Sequence, residues 1–353
     1  MLTLQKTGQF ISRKHAVCAR LGRAMLFNQM PNYLIAFVTG RCNMDCTYCC
    51  NIARSIKESE EMAPYKWADA VRNTGALIHL TITGGEPFMR QDIDELILAM
   101  VQSSGVPDVS INTNGYFTGR ICETAENILT ALPGIHLTIA ISLDGPPEIH
   151  DMLRNKRGAA SAAFDTITGL SLLKKNFSNL KVRIQSLLVP ENAGILMSFF
   201  NDSEALPVDF HEIIFPRDID NGHSISYASL IDAYGKIAGR QQIRNSPEGR
   251  MFHALYNSIL NSIKGGRQSS SCHAGGRLVE ILPDGPVIGC EMAKVTGKST
   301  IGFVGNTERL IDICNSKAAD HFRREIARSC SCTFECSMIC NLIFNPMTWH
   351  YFL

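Results

Sequence analysis

Short runs of apolar and β-branched residues recur along the first 215 positions, each bounded by Gly, Pro, Asn or Asp, and each run predicts a β-strand. The six predicted strands are Tyr33–Thr39, Leu77–Thr83, Asp108–Thr113, Ile135–Leu143, Lys181–Val189 and Val208–Phe215. Segments with apolar residues at helical spacing lie between them. The predicted helices are Pro64–Thr74, Asp92–Gln102, Gly119–Ala131, Ser161–Lys175 and Asn192–Asn201, with Asn192 as the N-cap of the last.

Six βα units in series predict an α/β fold with a parallel sheet and right-handed crossovers, a partial (β/α)6 TIM-like barrel. Chemistry in such folds lies at the carboxyl ends of the strands. After the sixth strand the pattern changes: a helix runs from Ser246 to Ile263 and ends at Gly265-Gly266. A turn at Pro283–Pro286 between two short strands then predicts a hairpin, and 307–328 is helical.

These changes divide the chain into four predicted parts. They are a basic lead-in at 1–30, the barrel at 31–245, a connecting helix at 246–265 and a small C-terminal domain at 266–353, a hairpin plus helices. The basic lead-in is interpreted as an amphipathic segment packed on the barrel, with an organelle transit peptide as the alternative.

Composition excludes three classes of protein. A content of 45% hydrophobic and 19% charged residues is ordinary for a globular protein and excludes a disordered chain. A net charge of +1 gives no field to recruit nucleic acid or an anionic membrane, and no apolar run is long enough to span a bilayer. The 13 cysteines are too sparse for a disulfide scaffold and fall in two clusters, which favours metal or redox sites in a reducing compartment. We therefore expect a cytoplasmic protein with no nucleic-acid or membrane partner.

The first cluster places Cys42, Cys46 and Cys49 on the loop after the first strand. Soft thiolates select zinc or iron–sulfur. Structural zinc needs four ligands, and Cys50 directly follows Cys49, so both thiols rarely reach one ion. Three thiolates on a four-iron cluster would leave one iron open for a substrate or cofactor. A catalytic iron–sulfur site, a zinc site and incidental thiols all remain open on this evidence.

The predicted second strand is followed by Gly84-Gly85-Glu86-Pro87. Paired glycines let backbone approach a ligand closely, and a carboxylate can accept hydrogen bonds from an ammonium group. Together with the C-x3-C-x2-C spacing and Tyr48 before its last cysteine, this sequence resembles the radical S-adenosylmethionine (radical SAM) enzymes. The resemblance covers about residues 33 to 215.

The resemblance implies a set of cofactor-binding residues. Cys42, Cys46 and Cys49 would hold a catalytic [4Fe–4S] cluster, and S-adenosylmethionine would chelate its open iron through amine and carboxylate. Ser142 and Asp144 would lie near the ribose and Arg154 near the methionine carboxylate. The full set of implied cofactor-binding residues is Tyr48, Gly84, Gly85, Glu86, Pro87, Asn114, Ser142, Asp144 and Arg154.

The second cluster begins with Cys272 and Cys290, which bracket the predicted hairpin, and continues with Cys330, Cys332, Cys336 and Cys340. Four thiolates from separate segments can close a four-iron site, and zinc suits four cysteines equally well. The region resembles the SPASM/twitch auxiliary-cluster extension of radical SAM enzymes. Its first two spacings, x1 and x3, are shorter than in the long version, the third is the same, and no cysteine follows Cys340.

One auxiliary [4Fe–4S] cluster is therefore expected, held by Cys272, Cys290, Cys332 and Cys336, with Cys330 and Cys340 as alternates. A second auxiliary cluster is not expected. Cys18, Cys122 and Cys314 stand singly in helical patterns, and no role is assigned to them.

The resemblance implies reductive cleavage of S-adenosylmethionine to a 5'-deoxyadenosyl radical that abstracts hydrogen from a C–H bond. An external one-electron reductant, of flavodoxin or ferredoxin type, would supply the electron. The expected substrate is a peptide or protein side chain. The alternative is a dehydrogenase or rearranging enzyme on a small molecule, such as a sugar or cofactor precursor. An acidic groove over the barrel mouth would favour the first, and a closed pocket of a few hundred cubic ångströms the second.

A non-catalytic metal-binding or electron-transfer protein is the third interpretation, which gives no reason for the GGEP segment. The general acid or base is unassigned. His211, Glu212 and Arg217, near the end of the sixth strand, are available polar groups.

Overall fold

A computed structural model describes residues 19–28, 30–74, 77–216, 227–239, 247–264, 271–296, 299–305, 308–330 and 332–351. Cys18, Arg217, Ser246 and the predicted helix end at Gly265-Gly266 lie outside these residues. None of the helices in the described part is both long and apolar enough to cross a membrane.

All six predicted strands are present, and each pairs in parallel with the next. Their bounds are β1 Tyr33–Thr39, β2 His79–Gly84, β3 Asp108–Thr113, β4 His136–Ser142, β5 Leu180–Leu187 and β6 Phe210–Ile214. The strands are largely buried because helices cover their outer faces, as a parallel sheet requires.

The helices between the strands follow the predicted pattern. They are Pro64–Val71, Ile93–Ser104, Thr118–Ala131, Ala159–Leu173 and Leu196–Asp202, followed by Pro247–Ile263 after the last barrel strand. The assignment of Asn192 as a helix N-cap is wrong, because that helix begins at Leu196. The Asn192 amide instead binds backbone groups at the ends of β4 and β5. Helices Pro147–Leu153, Tyr227–Ala238 and Glu335–Ile343 were not predicted.

The sheet continues beyond the six barrel strands. The predicted hairpin is formed by β7 Leu278–Ile281 and β8 Pro286–Ile288, and β9 Thr300–Phe303 follows as an unpredicted strand. Strand β7 pairs in parallel with β1, so the sheet order is β6-β5-β4-β3-β2-β1-β7-β8-β9. The sheet does not close on itself, which confirms the partial-barrel fold with a C-terminal hairpin and helices. The domain bounds themselves stay a prediction.

The helical stretch predicted at 307–328 consists of two helices, Leu310–Cys314 and Lys317–Ser329. Ser316 separates them, and its hydroxyl accepts a hydrogen bond from the Ala319 N–H as an N-cap.

The helix Glu335–Ile343 ties the C-terminal region to both ends of the barrel. Glu335 Oε1 accepts a hydrogen bond from the Phe215 N–H, just past β6, at 3.1 Å. The Tyr33 hydroxyl, at the start of β1, lies 3.8 Å from Cys336 Sγ. Asn341 Oδ1 accepts from the His273 N–H at 2.9 Å. These contacts bring the last cysteines beside the barrel interior.

Candidate active site

One cavity of about 310 Å³ joins the barrel to the C-terminal region. One wall holds Cys42, Cys46 and Cys49, and another holds Glu291, Phe334 and Cys336. Between them lie side chains from the barrel strands and the loops that follow them: Tyr48, Gly84, Gly85, Glu86, Asn114, Ser142, Arg154 and Gln185. Most of the predicted cofactor-binding residues thus face a single space.

The cysteine loop is fixed by its backbone. The Cys49 N–H donates to the Cys46 carbonyl at 3.2 Å, and the Thr47 N–H donates to the Leu153 carbonyl at 3.1 Å. Burial raises the pKa of Cys42 to about 11 and also raises that of Cys46, so the free thiols are protonated at neutral pH. In the part of the chain that is described, no three His, Cys, Asp or Glu side chains form a group that could hold a metal ion.

The GGEP segment is held against the cysteine loop by close backbone contact. The Gly85 N–H donates to the Thr39 carbonyl at 2.9 Å, and the Glu86 N–H donates to the Arg41 carbonyl at 2.8 Å. A Cβ on Gly85 would lie 2.0 Å from the Arg41 oxygen, and one on Gly84 would lie 2.4 Å from the Thr39 oxygen. The two glycines therefore let the GGEP segment pack directly against the backbone at the end of β1. The sequence argument explained them only by the close approach of a ligand.

Glu86 is buried and faces the cavity. Its carboxylate accepts hydrogen bonds from the Thr113 hydroxyl and from the Asn114 N–H, both at 2.8 Å. Burial outweighs these bonds and raises the pKa of Glu86 to about 7. A cationic group bound in the cavity would stabilise the ionised form of the Glu86 carboxylate. Pro87 is buried and begins a short 3-10 helix, Pro87–Met89.

Tyr48, Asp144 and Arg154 form a connected group. Asp144 is fully buried, and its Oδ2 accepts hydrogen bonds from Arg154 Nε at 2.7 Å and from the Tyr48 hydroxyl. Arg154 Nη1 lies 4.0 Å from Cys46 Sγ. Ser142 lines the cavity, whereas Asp144 lies behind Arg154 and is not part of the lining. The role near the ribose that the resemblance implies for Asp144 stays a prediction.

Two of the polar groups considered near the sixth strand, His211 and Glu212, have structural partners. His211 lies on β6, and its ring nitrogens bond the Ser186 and Ser203 hydroxyls at 2.6 and 2.7 Å. Burial lowers the pKa of His211 to about 3, so the ring is neutral. Glu212 Oε2 accepts from Gln185 Nε2 at 2.8 Å and from Arg183 Nη1 at 3.2 Å.

The C-terminal cysteines lie near one another. Cys330 lies within electrostatic range of Cys272, and Cys290 within that of Cys332, while Cys340 lies within range of Cys272 and Cys336. Burial raises the pKa of Cys272 and of Cys290. Each of the six candidate thiols, the two alternates included, therefore lies within electrostatic range of at least one other, although no three of them among the described residues form a group that could hold a metal ion. The choice of four ligands stays a prediction.

Several residues of the site were missed at the sequence level. Thr81 and Asn112 line the cavity from β2 and β3, and the strict alternation of strand side chains could have placed them there. Glu291 and Phe334 reach the cavity only because the C-terminal region folds back on the barrel. No local signal in the sequence marks them.

Comparison with known proteins identifies the class of protein that this fold and site define. The family model of the Radical SAM superfamily matches residues 37–193. The model of SPASM, an iron-sulfur cluster-binding domain, matches residues 272–337.

Among curated proteins, the chain is 26% identical to a GTP 3',8-cyclase of Limosilactobacillus fermentum over 54% of this chain and 55% of that protein. It is 27% identical to an Fe-coproporphyrin III synthase of Methanosarcina barkeri over 53% of this chain and 48% of that protein. The chain thus spans about half the length of these curated relatives.

Solved structures share the fold. Streptococcus suis SuiB bound to S-adenosylmethionine superposes with a TM-score of 0.60 at 14% identity, covering 86% of this chain and 70% of SuiB. The protein anSMEcpe with bound AdoMet gives a TM-score of 0.55 at 16% identity, covering 92% and 96%.

The chain therefore contains a radical SAM domain at residues 37–193 and a SPASM domain at residues 272–337, which confirms the family recognised from the cysteine and GGEP motifs. Members of this superfamily are enzymes. The radical SAM domain implies a [4Fe–4S] cluster and S-adenosylmethionine, and the SPASM domain implies auxiliary iron–sulfur. The predicted kinds of cofactor are confirmed at this level.

Proposed function

We propose that this protein cleaves S-adenosylmethionine reductively and uses the resulting radical to abstract hydrogen from a C–H bond of a peptide or protein side chain. The observation that carries the proposal is the single cavity shared by the cysteine loop, the GGEP segment and the SPASM region. A substrate in that cavity would lie between the site of radical formation and the auxiliary cysteines.

The residues present fit the implied cofactors. Cys42, Cys46 and Cys49 offer three soft donors to a cluster and leave one iron open. The Glu86 carboxylate, with its raised pKa, is suited to an ammonium group, and the Arg154 guanidinium beside Cys46 is suited to a carboxylate. The cluster and S-adenosylmethionine supply the electron transfer and the radical when bound. The chain orients them and excludes water.

The auxiliary site is proposed to be one [4Fe–4S] cluster held by Cys272, Cys290, Cys332 and Cys336. Four cysteines from separate segments suit a closed cluster. The SPASM match ends at residue 337, which includes these four and leaves Cys340 outside. The cluster would take the electron that a substrate radical releases, and an external one-electron reductant would serve the catalytic cluster.

A peptide substrate is supported by proteins of the same fold. One of them is SuiB bound to the precursor peptide SuiA, with a TM-score of 0.60 at 15% identity, covering 92% of this chain and 74% of SuiB. Another is anSMEcpe bound to the Cp18Cys peptide. In both, the fold accommodates a peptide.

A small-molecule substrate is the second candidate. The cavity volume of about 310 Å³ lies within the range of small-molecule pockets. The names of the curated relatives also refer to small molecules, GTP and a coproporphyrin.

The test is anaerobic reconstitution with iron and sulfide, followed by dithionite and S-adenosylmethionine. We expect 5'-deoxyadenosine to form. A protein with intact clusters that forms none would contradict both enzyme candidates. Deuterium transfer from labelled candidate peptides or small molecules into 5'-deoxyadenosine would then distinguish the two substrate classes.

A further inference from the structure

A buried ion pair joins the loop after β4 to the cysteine loop. Asp144 has no exposed side-chain surface, and Arg154 is 12% exposed. Asp144 Oδ2 accepts from Arg154 Nε and from the Tyr48 hydroxyl, and both of these partners line the cavity. Asp144 itself does not. It therefore reaches the cavity only through its two partners.

The remaining polar groups of Asp144 are bound from other elements. Oδ1 accepts from the Leu187 N–H at 2.9 Å, at the end of β5. The Asp144 N–H donates to His150 Nδ1 at 3.0 Å, and the Asp144 carbonyl accepts from Asn192 Nδ2 at 2.9 Å. His150 and Asn192 are themselves fully buried. Asp144 is thus held at its carboxylate from the end of β5 and at its backbone from the helix Pro147–Leu153 and from the loop that contains Asn192.

The pair also fixes which atoms of Arg154 face the cavity. Asp144 occupies Nε, while Nη1 lies 4.0 Å from Cys46 Sγ. The guanidinium carbon lies 5.5 Å from the centre of the Tyr48 ring. A guanidinium held in this way presents its outer N–H groups to an incoming carboxylate in a defined plane.

Burial opposes the charge on Asp144, but the charge of Arg154 prevails and holds the pKa of Asp144 well below its ordinary value. Removing the charge of Asp144 would leave the Arg154 cation in a buried setting without its partner. The guanidinium would then turn toward solvent or another acceptor, away from the plane that it now holds.

We propose that Asp144 is a positioning residue that does not touch S-adenosylmethionine but fixes the Arg154 guanidinium and the Tyr48 ring against the cavity, with His150 and Asn192 fixing Asp144 in turn. The proposal rests on the proposed function. It replaces the role near the ribose that the family resemblance implied for Asp144.

The test is a double-mutant cycle with Asp144→Asn, Arg154→Ala and the double variant. The dissociation constant for S-adenosylmethionine is measured by anaerobic equilibrium dialysis on the reconstituted enzyme with oxidised clusters, so no turnover is needed. We expect Asp144→Asn to weaken binding by roughly 10-fold or more, as loss of a charge-assisted contact does. We expect the double variant to bind no more weakly than Arg154→Ala alone.

Two results would overturn the proposal. Additive losses in the double variant would mean that Asp144 affects binding independently of Arg154. An unchanged affinity of Asp144→Asn for S-adenosylmethionine would mean that the Asp144–Arg154 ion pair does not affect binding of this ligand. A wild-type protein that binds no S-adenosylmethionine would instead overturn the proposed function itself, so the two failures are distinguishable.

Asp151→Asn is the matched control. Asp151 lies on the helix Pro147–Leu153, and its carboxylate accepts hydrogen bonds from the Gly158 and Ala160 N–H groups. It should lower the unfolding temperature and leave the affinity for S-adenosylmethionine unchanged.

His150 gives a second, independent variant pair if Asp144→Asn fails to fold. Gln at position 150 keeps an acceptor for the Asp144 N–H, whereas Leu does not. We expect His150→Leu to weaken binding of S-adenosylmethionine several-fold more than His150→Gln. Equal affinities would contradict the role of His150.

Discussion

The two cysteine regions of this protein are built on different principles. Cys42, Cys46 and Cys49 come from one loop of eight residues and are held by backbone bonds to the GGEP segment and to Leu153. The C-terminal thiols come from both sides of the hairpin, from the segment that precedes the helix Glu335–Ile343 and from that helix itself. The first region is therefore legible from spacing alone, while the second exists only once distant segments meet.

The largest expected effect separates the two regions by function. Cys46→Ala should abolish 5'-deoxyadenosine formation, because a cluster with two protein ligands on this loop would not hold an open iron in place. Product is measured by chromatography after reduction with dithionite. Cys50→Ala, at the neighbouring thiol that the ligand assignment leaves out, should retain activity. Loss of activity in Cys50→Ala and retention in Cys46→Ala would reverse the assignment.

The next prediction concerns the C-terminal thiols. Cys336→Ala should spare uncoupled cleavage of S-adenosylmethionine and remove roughly four irons per chain, the content of one cluster. Iron is measured after reconstitution, with Cys314→Ala, a buried thiol without an assigned role, as control. Unchanged iron in Cys336→Ala together with a loss in Cys330→Ala or Cys340→Ala would move the ligand to an alternate.

A third prediction tests the close backbone contact between the GGEP segment and the start of the first cysteine loop. Gly85→Ala places a Cβ 2.0 Å from the Arg41 carbonyl oxygen, and backbone cannot move aside cheaply. We expect unfolding free energy to fall by about 2–4 kcal/mol, together with reduced iron at the first site. Gly194→Ala, where nothing lies within 4 Å of the added atom, is the control. Equal stability of the two variants would show that the backbone at the end of β1 moves to accommodate the added Cβ at little cost in free energy.

The last prediction is a pH dependence from Glu86, which changes stability without changing the fold or the metal content. Its pKa is raised to about 7 in the fold, so the folded protein keeps this proton after the unfolded chain has released it. Stability from this group therefore falls as pH rises from about 4.5 to about 7, by about 3 kcal/mol for a fully buried carboxyl. Urea unfolding at about pH 5 and about pH 8 should show a smaller decline in Glu86→Gln than in wild type. Parallel declines would contradict the raised pKa.

Much of the barrel could be predicted because its signals are local. Strands β1 and β3 begin and end at the predicted residues, since apolar runs bounded by turn residues mark them directly. Asn192 shows where local reasoning fails. Its position before a helical pattern suggested a cap, but the amide satisfies backbone groups of β4 and β5, which are distant in sequence.

The site divides in the same way. Spacing and the GGEP segment were enough to recognise the family and its cofactors, because both motifs lie on consecutive strand ends that a parallel sheet must bring together. The burial of Asp144 behind Arg154 could not be read from the sequence. It depends on contacts from β5, from the Asn192 loop and from the cysteine loop at once.

The sequence by itself determined the alternating βα pattern, the C-x3-C-x2-C motif and the presence of a second cysteine cluster. Each of these features is encoded within a few neighbouring residues. Only the tertiary structure decided that β7 pairs with β1, that Cys336 lies against Tyr33 and the shared cavity, and that Asp144 lies behind Arg154, outside the lining of the cavity. These features join residues far apart in the chain, and their positions are fixed by burial and hydrogen bonding that no local spacing specifies.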